Sequence, residues 1–176
     1  PIQRAIMNLD KQTGVSIMKI TEELDSGPVM KKIETDIDTS DTCNEISEKL
    51  SKIGSDCIVK ILDDIFNKKI KYIEQNHNNA TYAKKIKKSE GKINWEESAQ
   101  NIIGKINGLN PNPGAWFEYK KKRYKIWKAS IYEEKGKAGT ILNNNFVIGC
   151  KDKSIKIIEI QKEGKNKLLL KDFLLG

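Results

Sequence analysis

Between Lys71 and Asn79 the hydrophobic period of the chain dissolves into polar residues, ending in Gln75-Asn-His-Asn-Asn79, and the two sides of that stretch repeat their apolar residues differently. Before it, Thr42 and Glu45 have the spacing of a helix capping box, and Ile46, Leu50, Ile53, Cys57, Ile61, Leu62 and Ile65 recur at helical intervals on one face. After it come short runs bounded by Lys, Asn or Gly turns: Ala115–Tyr119, Arg123–Ile131, Gly139–Leu142, Asn145–Cys150 and Ser154–Ile160. Short strands at that spacing suggest a small β-barrel. The chain therefore reads as one unit over residues 1–70, a linker over 71–89 and a second unit over 90–176.

Smaller signals fill in each unit. Pro1-Ile-Gln-Arg-Ala-Ile-Met7 reads as a helix with proline in its first turn. A turn cluster at Asp10–Gly14 leads into a strand over Val15–Ile20, a loop over 21–28 and a second strand over Val29–Glu34. In the second unit, Ala99, Ile102, Ile103 and Ile106 mark a helix that Gly108-Leu-Asn-Pro-Asn-Pro-Gly114 ends. Leu168–Gly176 reads as a strand running into a helix.

Net charge divides at the same place. Residues 1–79 carry 11 basic and 14 acidic side chains, a balance of −3, whereas residues 80–176 carry 21 and 10, a balance of +11. A composition bias toward lysine would act on both halves, so the basic half points to a polyanion such as a nucleic acid. No run reaches the roughly 18 apolar residues of a membrane span, and no signal-peptide layout opens the chain, which leads to the expectation of a cytoplasmic protein. The three cysteines, Cys43, Cys57 and Cys150, have neither disulfide nor zinc spacing and read as reduced, buried thiols.

Candidate chemistry is sparse. Asp25 lies in the tight loop Leu24-Asp25-Ser26-Gly27-Pro28, where a carboxylate can be aimed into a cleft as general acid or base. The same residues are also good turn chemistry, and on their own they favour the turn. His77, the single histidine, sits among asparagines and is a poor catalyst candidate. No phosphate loop, dinucleotide fingerprint or metal-ligand cluster occurs. The basic clusters are Lys84-Lys85, Lys87-Lys88, Lys120-Lys121-Lys122-Arg123 and Lys125, interleaved with Tyr82, Trp95, Trp116, Tyr119, Tyr124 and Trp127. Aromatics among lysines can stack bases while the lysines follow phosphates. Strand placement nevertheless favours a core position for Trp116, Tyr124 and Trp127, leaving the lysines as the binding signal.

Taken in order, Pro1-Ile-Gln-Arg-Ala5, Thr13-Gly-Val-Ser-Ile-Met18, Leu24–Pro28, Thr81-Tyr-Ala-Lys-Lys85, Ile93-Asn-Trp95, Asn110-Pro-Asn-Pro113 and Ile126-Trp-Lys-Ala-Ser130 closely resemble the methionyl-tRNA formyltransferase family. The resemblance implies formyl transfer from 10-formyltetrahydrofolate to the amino group of methionyl initiator tRNA, by a monomer that needs no metal. It implies a Rossmann-like formyltransferase domain followed by an OB-like β-barrel. It makes Asp25 the catalytic aspartate and Thr21, Glu22, Glu23 and Leu24 the loop around the pterin; with tRNA as the polyanion, the basic clusters Lys84, Lys85, Lys87, Lys88, Lys120, Lys121, Lys122 and Arg123 are expected as its contacts. Glu23 stands where the family commonly has glycine, so either the loop takes another path or that position needs no positive φ. The family's oxyanion donors lie in an Asn-x-His pattern, which this sequence does not contain. With Pro1 in first place, these features lead to the expectation of a fragment: a carboxy-terminal remnant of the α/β catalytic domain, lacking its amino-terminal part, followed by an intact barrel. A related folate-dependent formyltransferase, or an RNA-binding module without chemistry, are the alternative readings.

Overall fold

The computed structural model describes residues 1–175; Gly176, the end of the last expected element, lies outside the described residues. The alternating run after Asp10 forms β1 (Gln12–Met18), which pairs antiparallel with β2 (Val29–Asp36), from Gln12 opposite Asp36 to Ile17 opposite Lys31, with an irregularity at Met18. Helix α1 (Ile2–Met7) precedes the hairpin and α2 (Cys43–Phe66) follows it. The capping box forms: the Thr42 hydroxyl accepts from the Glu45 amide, and the Glu45 carboxylate accepts from the Thr42 amide at 2.8 Å. Ile46 and Leu50 pack with Ile6 against Val15 and Ile37. Farther along α2 the apolar face opens to solvent, and Leu62, expected on the packed face, is exposed together with Ile58, Val59 and Phe66.

The second unit begins with a short 3-10 turn at Lys88–Gly91 and helix α3 (Ala99–Gly108). The Ser98 side chain caps α3 by accepting from the Asn101 amide, and the Asp152 carboxylate accepts from the Ala99 amide at 2.8 Å. The helix packs on a sheet of β3 (Ala115–Tyr119), β4 (Lys122–Tyr132), β5 (Val147–Gly149), β6 (Ser154–Lys162) and β7 (Lys167–Leu169), followed by α4 (Leu170–Leu175). Ile102, Ile106, Ala115, Ile126, Ile155 and Ile157 are fully buried between them.

The strand order is β3-β4-β6-β5, with β7 also on β6. No ladder joins β3 to β5 or β7, so the expected OB-like barrel is corrected to a curled, open half-barrel sheet. Part of the reason lies at Gly139–Leu142, an expected strand that forms only a single bridge from Ile141 to Ile148. There Thr140 turns back on Lys137 through both its amide and its hydroxyl, and Gly139 takes φ +74°, which removes the run from extended geometry.

The two units meet through α1. Gly104 and Gly108, one turn apart on α3, face its backbone: a β-carbon on Gly108 would lie 2.9 Å from the Gln3 carbonyl oxygen, and one on Gly104 3.1 Å from that of Ile6. The Asn107 side chain also donates to the Thr39 carbonyl at 2.9 Å. Cys57 and Cys150 are buried as expected, whereas Cys43 is half-buried. Burial and the nearby Asp152 push the Cys150 thiol up to about 11, which keeps it protonated and unreactive.

Candidate active-site loop and basic surface

The loop between β1 and β2 is fixed by its own polar side chains. Its base is closed by the Lys19 amide, which donates to the Pro28 carbonyl at 3.0 Å. Gly27 lies so close to the Lys19 carbonyl that no side chain fits there. The Thr21 and Ser26 hydroxyls are 2.8 Å apart, and both reach the Glu23 carbonyl, at 3.2 and 3.0 Å. Asp25 is at the turn with φ +55°, whereas Glu23 is not in the left-handed region, so this path needs positive φ at Asp25 and not at Glu23. Thr21, Glu22, Glu23, Leu24 and Asp25 are all exposed, and Leu24 is 91% accessible.

Sequence reading missed the residue that holds this loop from outside. The stretch expected as a linker lies along β2: Val29 and Ile73 exchange backbone hydrogen bonds of 2.8 and 3.0 Å. That pairing places Gln75 so that its amide donates to the carbonyls of Asp25, at 2.9 Å, and Gly27, at 2.7 Å. His77 opens a separate exposed 3-10 turn, His77–Asn79.

The first basic cluster is pinned at the junction of the units. Arg4 donates to the Lys84 carbonyl at 3.0 Å and forms a forked ion pair with Glu90, at 2.6 and 3.1 Å. Glu90 also accepts from the Lys87 amide at 2.7 Å. The backbone of Lys84–Lys88 is thereby fixed while the side chains of Lys84, Lys85, Lys87 and Lys88 are exposed. The Arg4 hydrogen bonds and the Lys87 amide hold the Glu90 carboxyl at about 2, against an ordinary 4.5. A depressed carboxyl contributes stability that is present above the ordinary value and lost as pH falls toward the folded value. An acid titration of the fold is therefore expected to show a component between pH 4.5 and about 2 that Glu90→Gln removes. Both side chains are partly exposed, so solvent screening limits that component to about 1 kcal/mol.

The second cluster occupies the hairpin between β3 and β4. Lys120 and Lys121 both take positive φ, +48° and +60°, in the manner of a tight two-residue hairpin turn, and Lys122 and Arg123 begin β4. Of the aromatics expected in the core, Tyr124 is there, stacked on Phe117 with ring centroids 5.6 Å apart. Trp116 and Trp127 are corrected to the opposite face: adjacent strand residues point to opposite sides, so Phe117 inside puts Trp116 outside. The Arg123 guanidinium carbon lies 3.9 Å from the Trp116 ring centre, and the Lys125 ammonium 5.2 Å from that of Trp127. A mostly apolar recess of about 590 Å³ on the inner face, lined in part by Trp95, Phe117, Tyr124 and Phe173, does not include the Asp25 loop.

Residues 85–176, more than half the chain, match the family described as formyl transferase, C-terminal domain. The chain belongs to the formyltransferase family. Residues 1–62 match the family's amino-terminal description, formyl transferase. Both family domains are therefore represented, and the expectation of a carboxy-terminal remnant of the α/β catalytic domain, lacking its amino-terminal part, is corrected to an α/β unit followed by a curled sheet. The methionyl-tRNA formyltransferase of Pelagibacter ubique is 50% identical over all of this chain and 57% of its own length. That of Rickettsia prowazekii is 38% identical over all of this chain and 58% of its own. The chain thus spans somewhat under three-fifths of the curated relatives it matches. Among solved structures, HypX from Aquifex aeolicus superposes with a TM-score of 0.74 over 99% of this chain and 33% of its own, at 22% identity. A methionyl-tRNA formyltransferase from Clostridium thermocellum does so with 0.56 over 75% and 56%, also at 22%. Among the described residues, no helix is long and apolar enough to cross a membrane.

Proposed function

We propose that this formyltransferase-family chain serves formyl transfer from 10-formyltetrahydrofolate to the amino group of methionyl initiator tRNA, in the cytoplasm and without a metal. The observation that carries this reading is the 50% identity to a methionyl-tRNA formyltransferase across the whole chain. In the reaction the methionine nitrogen bonds to the formyl carbon, the carbon–nitrogen bond to the folate breaks, the attacking amine loses a proton and the departing folate nitrogen takes one up. Asp25 carries a carboxylate able to orient the groups that move this proton. The exposed Thr21–Leu24 segment supplies the Thr21 hydroxyl, backbone carbonyls and an apolar Leu24 side chain against which a flat pterin can rest. Lys84, Lys85, Lys87, Lys88, Lys120, Lys121, Lys122 and Arg123 grip the phosphates of the tRNA.

A second reading, an RNA-binding module without chemistry of its own, is favoured by one observation: the basic excess of +11 is confined to residues 80–176, apart from the Asp25 loop. Initiator tRNA binding over a salt series, followed by a formylation assay, separates the two. Binding with formylation supports the transferase. Binding without it leaves the RNA module, and absence of binding at low salt overturns both.

Changing Lys120, Lys121 and Lys122 together to alanine is expected to lower tRNA affinity at least tenfold at low salt. The slope of log affinity against log salt should fall by about 2 to 3, since each phosphate contact contributes roughly 0.7–0.9. An unchanged slope would remove this hairpin from the interface.

A further inference from the structure

The outer face of the curled sheet carries two indoles that the hydrophobic core does not use. Trp116 and Trp127 lie on the side opposite Ile126 and Phe117, and neither joins the buried cluster. Each lies against a glycine. A β-carbon on Gly91 would come within 3.1 Å of the Trp116 indole nitrogen, and one on Gly114 within 3.2 Å of the Trp127 ring. Gly91 and Gly114 also touch one another, a β-carbon on the first lying 2.7 Å from the carbonyl oxygen of the second. The backbone is thus bare beneath both rings, which lets them lie close to the sheet.

Cations accompany both rings. Arg123 lies over Trp116 at 3.9 Å, with the Lys92 ammonium 5.8 Å from the same ring centre. Lys125, opposite Trp116 in the strand register, lies 5.2 Å from Trp127. The indole nitrogen of Trp127 donates to Gln161 at 2.9 Å, which fixes the plane of the ring. By strand register Glu118 lies across from Arg123 and Glu159 across from Lys128, with Glu159 engaged by Lys167 at 2.8 Å and Glu45 of α2 also near Lys128. Positive charge is therefore in excess where the aromatic surface is widest.

A sheet face that combines fixed aromatic planes, a guanidinium plane and ammonium groups has the chemistry that takes unpaired nucleotides: π-faces stack bases without sequence preference, and the cations meet the phosphates. A duplex offers the phosphates but keeps its bases stacked inside. We infer that Trp116, with Arg123 over it, and Trp127 form a stacking site for unpaired bases of an RNA, distinct in kind from the phosphate grip of the lysine hairpin. This inference rests on the reading of the chain as an RNA binder and assigns the part of the RNA that this face receives.

The test uses the whole chain and two probes, a single-stranded oligoribonucleotide of about eight nucleotides and a blunt RNA duplex of matching length. Trp116→Leu and Trp127→Leu, which leave the charge unchanged, are expected to weaken single-strand binding about tenfold each while the salt slope stays as in the parent. Duplex binding should change less than twofold. Trp116→Phe, which keeps a π-face, should restore most of the single-strand affinity and guards against a folding defect. Equal loss on both probes, or unchanged single-strand affinity in the leucine variants, overturns the stacking site while leaving RNA binding in place. Failure of the parent chain to bind either probe at low salt overturns the RNA reading itself.

Discussion

Replacing Gly108 by valine is expected to cost about 3 kcal/mol of stability, or somewhat more, and to lower the melting midpoint by several degrees. Intrinsic preference argues the other way, because glycine is one of the weakest helix formers and most replacements at a free helical site help by up to ~1 kcal/mol. At Gly108 the site is not free. The new β-carbon would stand 2.7 Å from Met7 Cγ, 2.9 Å from the Gln3 carbonyl oxygen and 3.3 Å from the Met7 amide nitrogen. Two of those atoms belong to the backbone of α1, so relief requires α1 to move off α3, and α1 is the helix that joins the two units. Gly54 supplies the control. In the middle of α2, its β-carbon would meet only the methyls of Val15, at 3.5 and 3.9 Å, so Gly54→Ala is expected to raise stability by up to ~1 kcal/mol. Thermal melts of the two variants beside the parent decide the matter. A Gly108→Val protein as stable as the parent would show that α1 is not seated on α3 in solution.

Asp25→Asn is expected to lower formyl transfer at least ~100-fold while leaving initiator tRNA affinity within about twofold of the parent. The substitution isolates charge from shape. Asp25 sits at φ +55°, a conformation that asparagine tolerates well. The loop's hydrogen bonds come from Thr21, Ser26 and Gln75 and do not use the Asp25 carboxylate. The backbone therefore keeps its path in the variant and only the ionised oxygen is lost. Asp25→Ala would add strain to the lost charge, at about 1 kcal/mol or more for a residue without a short polar side chain at positive φ. Rates measured under single turnover, beside tRNA affinity, separate the outcomes, and turnover retained in the asparagine variant would assign Asp25 to turn chemistry alone.

Periodicity was a good guide where one face of an element is buried. The capping box at Thr42, the helix from Ala99 and the strands β4 and β6 follow from local spacing, because a helix or half-buried strand writes its own period into the sequence. Parity was the signal overlooked on β3. Trp116 and Phe117 are neighbours, both cannot face inward, and Trp116, which shares its parity with Glu118 and faces Lys125 across the hairpin, was the one to place outside. Closure of the sheet was not legible, because it depends on whether backbone groups near Thr140 pair across strands or within a turn. Contacts between units were equally hidden. Gln75 reaches a carbonyl 50 residues away, and Arg4 reaches a carboxylate 86 residues away. Gln75 lies outside any periodic segment and Arg4 sits in the short helix α1, and in neither case does local spacing announce a partner so far along the chain. The Asp25 loop was visible as a turn, and its assignment to chemistry came from family resemblance.

The segment between the two units is tied at both ends. Gln75 is bonded to the Asp25 loop, while Arg4 holds the carbonyl of Lys84 to the first helix. Chain geometry allows the stretch from Gln75 to Lys84 to span at most about 30 Å. With its ends anchored it acts as a ruler laid between a carboxylate and a row of lysines. On the proposed function, a polyanion held by those lysines would meet the carboxylate only with a part of itself that lies at the ruler's length, so that reach, as well as affinity, would select what is presented to Asp25.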